Sequence, residues 1–488
     1  MYHSRPTSAL AMVALAAILM PSFLTAQITF QRTYGGTGDD CGCSVQQTAD
    51  GGYIIAGETW SFGAGGGDVY LIKTNAAGDT QWTRTFGGAE YDVAYSVQQT
   101  LDGGYIIAGA DSFPPYGTGV YLVKTDANGG ALWTRTIGGG GDYCAYSVRQ
   151  TRDGGYIVTG LECGDESTMA NVLLVKTDAN GDTLWTRIFY GTGWDDYGSS
   201  VQQTTDGGYV IAGANSTGLG DVYLIKTDAS GDTLWTRTFG GDSIDEAEYV
   251  QQTSDGGYVI AGSTCSFGAG SSDVYVIRTD AAGTMLWSST YGGASLDFGC
   301  SAQQIDEGTY VIAGSTSSFG AGGRDFYLIR TDADGDTLWT RTFGGDSDDV
   351  ACSFQQTADG GYIMAGYSAS FGAGGEDVWL VKTDSLGNVG VAEPRTSPTR
   401  TSCLVLTCEP NPFRTRTAIS LQLAANRPAR LAIFDASGRC VRTFTVNRAP
   451  YTVWDGTDEL GQPLPSGAYF VRVDATNEHA TARIVLQR

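Results

Sequence analysis

The residues of this chain best equipped for chemistry are carboxylates, and they recur in register. Asp40, Asp92, Asp196, Asp245, Asp297 and Asp349 each stand four residues ahead of one recurring phrase of the type Ser-Val-Gln-Gln, and Asp142 stands one residue out of step. Such oxygens suit a hard cation such as calcium, which needs several of them converging at about 2.3–2.6 Å, or a platform for a polar ligand. The same carboxylate can instead accept N–H groups of its own loop and lock neighbouring repeats together. Recurrence in nearly every repeat favours that structural role, so no cofactor is expected, with calcium as the alternative. The stretch Asp332-Ala333-Asp334-Gly335-Asp336 has the look of a calcium loop but lacks the later Glu, and it falls where a hairpin turn is expected.

Histidine restricts the remaining chemistry. The chain has two, His3 and His479, and neither lies in the repeats. A Ser-His-Asp triad, a Cys-His pair or a His-rich zinc site is thereby excluded from the repeat region. Among ten cysteines, Cys43, Cys300 and Cys352 occupy one slot of the first, sixth and seventh repeats. A disulfide between two of them fits, with a soft-metal site or small buried thiols as alternatives. Cys403, Cys408 and Cys440 allow one bridge in the tail. Three aromatics stand off the repeat pattern, Trp60, Tyr116 and Trp194, the last beside Asp195. These four residues are the expected contacts for a sugar or an apolar partner group.

The elements that must position them follow from the period. A phrase ending Asp-Gly-Gly-Tyr places its tyrosine, or the equivalent residue, at Tyr53, Tyr105, Tyr156, Tyr209, Tyr258, Tyr310 and Tyr362. A step of roughly 50 residues built from short strands indicates a radial or stacked β-repeat. Each unit reads as four strands: a Gln-rich one, an Ile/Val-rich one buried on both faces, an alternating one, and an alternating Trp-Thr-Arg one. Trp82, Trp133, Trp185, Trp235, Trp287 and Trp339 share one slot and are expected in the core. The chain before Asp40 contains a fourth-strand phrase, Phe30–Tyr34, without a third strand. The seventh repeat ends on a third strand, Val378–Thr383, without a fourth. Pairing these ends predicts an all-β, seven-bladed propeller of four-stranded blades over 27–384, closed on itself and free of open edges. The Gln-rich strands should line its centre. The longer loops should share one face, where ligands are expected.

Charge divides the chain. The net charge is −24, but residues 27–394 hold 16 basic and 46 acidic residues, while 395–488 hold 12 arginines and 7 acids. So acidic a repeat region disfavours nucleic acid and anionic lipid. Residues 1–26 read as a signal peptide, with Arg5, an apolar stretch too short to span a bilayer, and Leu24-Thr25-Ala26 before the expected cleavage point. No later segment is apolar enough to span one. Residues 385–408, with Pro394 and Pro398, read as a linker.

The tail carries ordered motifs: Glu409-Pro410-Asn411-Pro412-Phe413, Phe434-Asp435-Ala436-Ser437-Gly438-Arg439, Val453-Trp454-Asp455-Gly456-Thr457-Asp458 and Pro465-Ser466-Gly467-Ala468-Tyr469-Phe470. In these motifs 409–488 resembles the FlgD-type Ig-like module and the C-terminal sorting domains of type IX secretion cargo. The resemblance implies a small Ig-like β-sandwich recognised by secretion machinery, and a destination outside a Gram-negative-type bacterium or on its outer surface. Residues 28–384 resemble exported bacterial β-propeller repeat proteins. The Asp-Ala-Asn-Gly-Asp-Thr-Leu-Trp phrase is similar to the Trp-docking hairpins of quinoprotein-type propellers and, with one residue too many, to the Asp-box of sialidases. The expected function is non-enzymatic binding of a protein or glycan by a monomeric propeller. The alternatives are a glycan-acting enzyme using paired carboxylates and a structural envelope component.

Overall fold

Each of the first six repeats turns its four phrases into four consecutive antiparallel strands, and the seventh supplies three. In the first repeat these are β2 (Asp40–Gln47), β3 (Tyr53–Thr59), β4 (Asp68–Thr74) and β5 (Thr80–Phe86), hydrogen-bonded in that order. The computed structural model describes residues 27–112, 117–138, 141–164, 169–190, 196–215, 220–306, 308–389, 405–409, 413–422, 429–435, 439–446, 451–475 and 478–487. The expected signal peptide, Tyr116, Trp194 and Asp195 lie outside the described residues. The described secondary structure is entirely β, and no described helix is long and apolar enough to cross a membrane.

The Asp-Gly-Gly-Tyr phrase is explained by the turn between β2 and β3. Asp50 Oδ1 accepts the Gly52 N–H at 3.0 Å and the Thr48 hydroxyl at 2.5 Å. Gly51 has φ +82°, a conformation glycine adopts without a Cβ penalty. Gly52 is needed for a different reason: a Cβ there would lie 2.1 Å from the Thr74 carbonyl oxygen. Tyr53 is then fully buried. Across the turn, the ammonium of Lys73 sits 2.9 Å from Asp50 Oδ2 and 2.8 Å from the Thr74 carbonyl oxygen.

Two expectations about burial are corrected. The third strand, expected to alternate, is buried at every position of β4, Lys73 included. Its polar ends are satisfied internally, so alternation in the sequence does not become alternation in exposure. The recurrent tryptophans, expected in the core, are half-buried on strands whose other residues are largely exposed. Each indole packs against the phrase tyrosine of the next repeat, edge-on in five of the six, as Trp82 does to Tyr105 at 5.9 Å. An arginine two residues on covers all but Trp287, where Ser289 takes that place, with Arg84 5.3 Å from the Trp82 ring. The phrase tyrosines themselves are almost fully buried, as are Trp379 and Phe326.

The first Gln of one sheet accepts the backbone N–H of the second Gln of the next. Gln46 Oε1 takes the Gln99 N–H at 2.6 Å, and Gln355 Oε1 takes the Gln47 N–H at 2.6 Å, which joins the last repeat to the first. The chain ends pair as their sequences require. β1 (Phe30–Tyr34) runs antiparallel to β28 (Asp377–Thr383), with Phe30 opposite Lys382 and Tyr34 opposite Val378. The described sheets of the repeats comprise five four-stranded ones and one of eight strands, in which two groups are joined by a short parallel pairing of Gly141 and Asp142 with Gly117 and Thr118.

The chain divides into two compact units, Met1–Ala392 and Glu393–Arg488. The segment expected as linker carries structure at both ends: Asp384–Asn388 closes a turn, and Val405–Glu409 is a strand of the second unit. That unit packs a three-stranded sheet and a four-stranded sheet around Trp454, Tyr469, Ile433 and Leu486.

Candidate functional site

The first strands of the repeats surround a cavity of about 650 Å³, within the range typical of small-ligand sites. One structural device builds its wall. Each first strand contains a β-bulge at the same place, after Gly42, Ala94, Ala145, Gly198, Ala247, Gly299 and Ala351. A bulge leaves one residue unpaired and re-aims its side chain. The residues so freed are Cys43, Tyr95, Tyr146, Ser199, Glu248, Cys300 and Cys352, and all line the cavity. The scaffold is constant and the lining residue changes from repeat to repeat.

The lining is polarised. Tyr95 and Tyr146 meet edge-to-face at 5.3 Å, and Tyr197 extends the row at 6.1 Å from Tyr146. Glu246 and Glu248 project from the fifth repeat. Cys300, Cys352 and Cys43 form the opposite wall. Burial pushes the Cys300 thiol well above its usual range. Cys41 joins this group, its sulfur 3.9 Å from that of Cys43, and hydrogen bonding with Cys352 and then Cys43 raises its thiol too. All four thiols are free in the structure, and the upward shifts keep those of Cys300 and Cys41 protonated at neutral pH, which makes these two poor nucleophiles. Glu248 reaches cavity water but is walled by protein. This restricted solvation, followed by the charge of Glu246, lifts its carboxyl to about 7. Arg149 replaces the first Gln in the third repeat and donates to the Val148 carbonyl at 2.9 Å. Arg324 enters the lining from a long loop, 2.9 Å from Asp348.

The sequence-selected residues fall into three groups. Cys43, Cys300 and Cys352 come together in the cavity. Trp60 does not line it; it is exposed on a long loop against Tyr91, with ring centres 5.9 Å apart. Asp40, Asp92, Asp196, Asp245, Asp297 and Asp349 do not crown a face with exposed charge but are buried at the strand starts. Asp40 Oδ2 accepts the Gly36 N–H at 2.8 Å and the Ser61 hydroxyl at 2.6 Å, and Asp245 and Asp297 repeat the pattern with Ser266 and Ser318. Among the described residues no group of three or more His, Cys, Asp or Glu is arranged to hold a metal ion. Sequence reasoning missed Tyr95, Tyr146, Glu246, Glu248, Arg149 and Arg324. A signal existed: aligning the inner strands shows Glu and Tyr where sister repeats carry Cys or Ser.

Residues 412–479 match the FlgD Ig-like domain family. Sequence comparison with curated proteins finds no match. Among solved structures, the chain is similar to PorZ of Porphyromonas gingivalis, described as an essential bacterial surface component of the type-IX secretion system. That likeness has 13% identity and a TM-score of 0.44, covering 93% of this chain and 60% of PorZ, so the chain spans under two thirds of PorZ's length. A fungal alcohol oxidase in complex with copper is similar at 12% identity and TM-score 0.42, covering 94% of this chain and 98% of the oxidase. A protein of unknown function from Dyadobacter fermentans is similar at 12% identity and TM-score 0.39, covering 64% and 98%.

Proposed function

We propose that the repeat unit is a closed seven-bladed β-propeller that binds a glycan or a glycan-bearing protein at the long-loop end of its central cavity without transforming it. In this reading the FlgD-like module directs the protein to export and surface display. Closure is supported by the pairing of β1 with β28 and by the Gln355-to-Gln47 bond. The observation that carries the binding role is the ring of seven bulge residues lining one cavity. Tyr95 and Tyr146 offer rings on which a sugar face can stack, and Glu248 and Arg324 offer polar groups to fix its hydroxyls. Trp60 and Tyr91 on the long loops extend the apolar contact outward.

One observation favours a second reading. Glu246 and Glu248 are two neighbouring acids in a cavity, one of them with its carboxyl raised to about 7, as a glycosidase general acid requires. Their placement argues for binding instead. Both project from one strand, two residues apart, and therefore share one wall, whereas glycoside cleavage needs carboxyls flanking the scissile bond.

Glycan-array binding by the full chain, followed by chromatography of any bound glycan after incubation, separates the readings. Retention of intact glycan that falls at least about tenfold in Tyr146→Ala supports binding. Shortened products that disappear in Glu248→Gln establish hydrolysis and overturn it.

A further inference from the structure

Buried carboxylates meet in pairs where consecutive sheets join, and the sequence pattern revealed only one member of each pair. The second member is the aspartate that opens the third strand of the preceding repeat. The junction of Asp325 with Asp349 is representative. An ideal Cβ on Gly344 would lie 1.6 Å from Asp325 Oδ1 and 2.9 Å from Asp349 Oδ2, so both carboxylates converge on one bare glycine. Asp325 is 1% exposed and Asp349 0%. One oxygen of each is satisfied, Asp325 Oδ2 by the Ala321 N–H at 2.9 Å and Asp349 Oδ2 by the Gly345 N–H at 2.7 Å. The Oδ1 atoms of both are buried and accept no hydrogen bond from the protein. Neither carboxylate is ion-paired to a described basic residue.

The arrangement repeats. Gly35 stands between Asp377 and Asp40, Gly240 between Asp221 and Asp245, and Gly292 between Asp273 and Asp297, with the nearer oxygen 2.0–2.1 Å and the farther 2.6–2.7 Å from the ideal Cβ. Asp40, Asp245 and Asp297 each keep a buried, unpartnered Oδ1. Two like charges out of water and short of donors require a counter-charge. A fifth pair, Asp68 with Asp92, lacks the orphaned oxygen. There burial and a hydrogen bond from Asp111 raise the Asp92 carboxyl, so a proton supplies the compensation.

We propose that the four junctions Asp377/Asp40, Asp221/Asp245, Asp273/Asp297 and Asp325/Asp349 each bind one divalent cation of the calcium type, fastening adjacent sheets. The ligands are hard oxygens, two negative charges match one divalent ion, and the absent glycine side chain is what lets the two carboxylates approach each other. Only two carboxylates meet at each junction, so main-chain carbonyls and water complete the shell. Calcium's tolerance of irregular, high-coordination oxygen shells suits this better than the strict octahedron of magnesium.

The test uses the full chain, stripped with chelator and desalted. After equilibrium dialysis against calcium chloride, elemental analysis should find about four calcium ions per chain, and the melting temperature should rise by at least about 5 °C, with magnesium much less effective. The double variant Asp325→Asn plus Asp349→Asn should bind one ion fewer. Because it also removes the repulsion, it should melt higher than wild type in chelator, a result a merely unfolded variant cannot give. No calcium retained at millimolar concentration, with a melting temperature unchanged by calcium or chelator, overturns the proposal and leaves the pairs sharing protons.

Discussion

Single residues carry the site because the backbone around them is invariant. The bulge fixes where a side chain goes, and the residue type fixes what it offers. Tyr146 is the best placed of these, since it lines the cavity and touches both Tyr95 and Tyr197. Its removal opens space without touching the Gln-to-Gln bonds that join the sheets. Tyr146→Ala should therefore lower ligand affinity while shifting the urea midpoint little, and Tyr146→Phe should retain most binding if stacking dominates. Binding and denaturation curves measured side by side check this. The glycines of the turn give a contrasting prediction. Gly51→Ala meets only a left-handed φ and should cost about 1 kcal/mol. Gly52→Ala drives a Cβ into the Thr74 carbonyl and the Lys73 ammonium and should cost several times as much, on the order of 3 kcal/mol. If paired denaturation curves show the two variants equal, this account of the Asp-Gly-Gly phrase is wrong. The phrase was legible as a turn from sequence alone. The reason for its second glycine was not, because the obstructing carbonyl belongs to a strand some twenty residues away.

At the scale of the element, the turn and the inner strand impose opposite pH dependences. Partial burial would raise Asp50, Asp102 and Asp206, but the neighbouring Thr hydroxyls and the Lys73, Lys124 and Lys226 ammoniums outweigh it and hold all three at about 2. As pH falls from about 4 towards 2, the unfolded chain takes up protons before these folded carboxyls do, so stability is lost across that window. Glu248 and Asp92, both raised to about 7 chiefly by burial, act in the other sense. Between about pH 4 and 7 the folded state holds protons the unfolded chain has released, so stability declines as pH rises through that range. Calorimetry in chelator should find a maximum near pH 4–5 and a fall on both sides. Glu248→Gln with Asp92→Asn should flatten the upper side alone. The sequence made the strands legible but not their burial. The third strand's Lys73 looks exposed until its partner Asp50 is seen. The tryptophan slot looks like core because it recurs, yet on its exposed strand the indole is only half-buried. Glu248 escaped notice because a period-2 reading of the strand cannot anticipate a bulge.

For the whole molecule, the decisive feature is that the seventh repeat is incomplete alone. The last sheet borrows β1 from the start of the chain, an arrangement legible in sequence because each end lacked what the other carried. The second unit has its own core around Trp454 and Tyr469, so its removal should leave the repeats intact. A chain ending at residue 392 should melt within about 2 °C of the full protein, because the two cores share no residues. A chain beginning at Gly35 is a different matter. It loses Phe30 and Tyr34 from a buried cluster containing Tyr53 and Val378, and it exposes the full edge of β28. An unpaired edge of seven residues bearing Val378, Leu380 and Val381 is a template for another strand. This truncation should lower the melting temperature by more than 10 °C and drive concentration-dependent association, and an added peptide spanning residues 27–34 should reverse both effects. Size-exclusion chromatography with and without the peptide decides the matter. A truncated chain that stays monomeric and melts like the parent would mean that the first strand is an ornament rather than the closing element, and the closed ring would have to be abandoned.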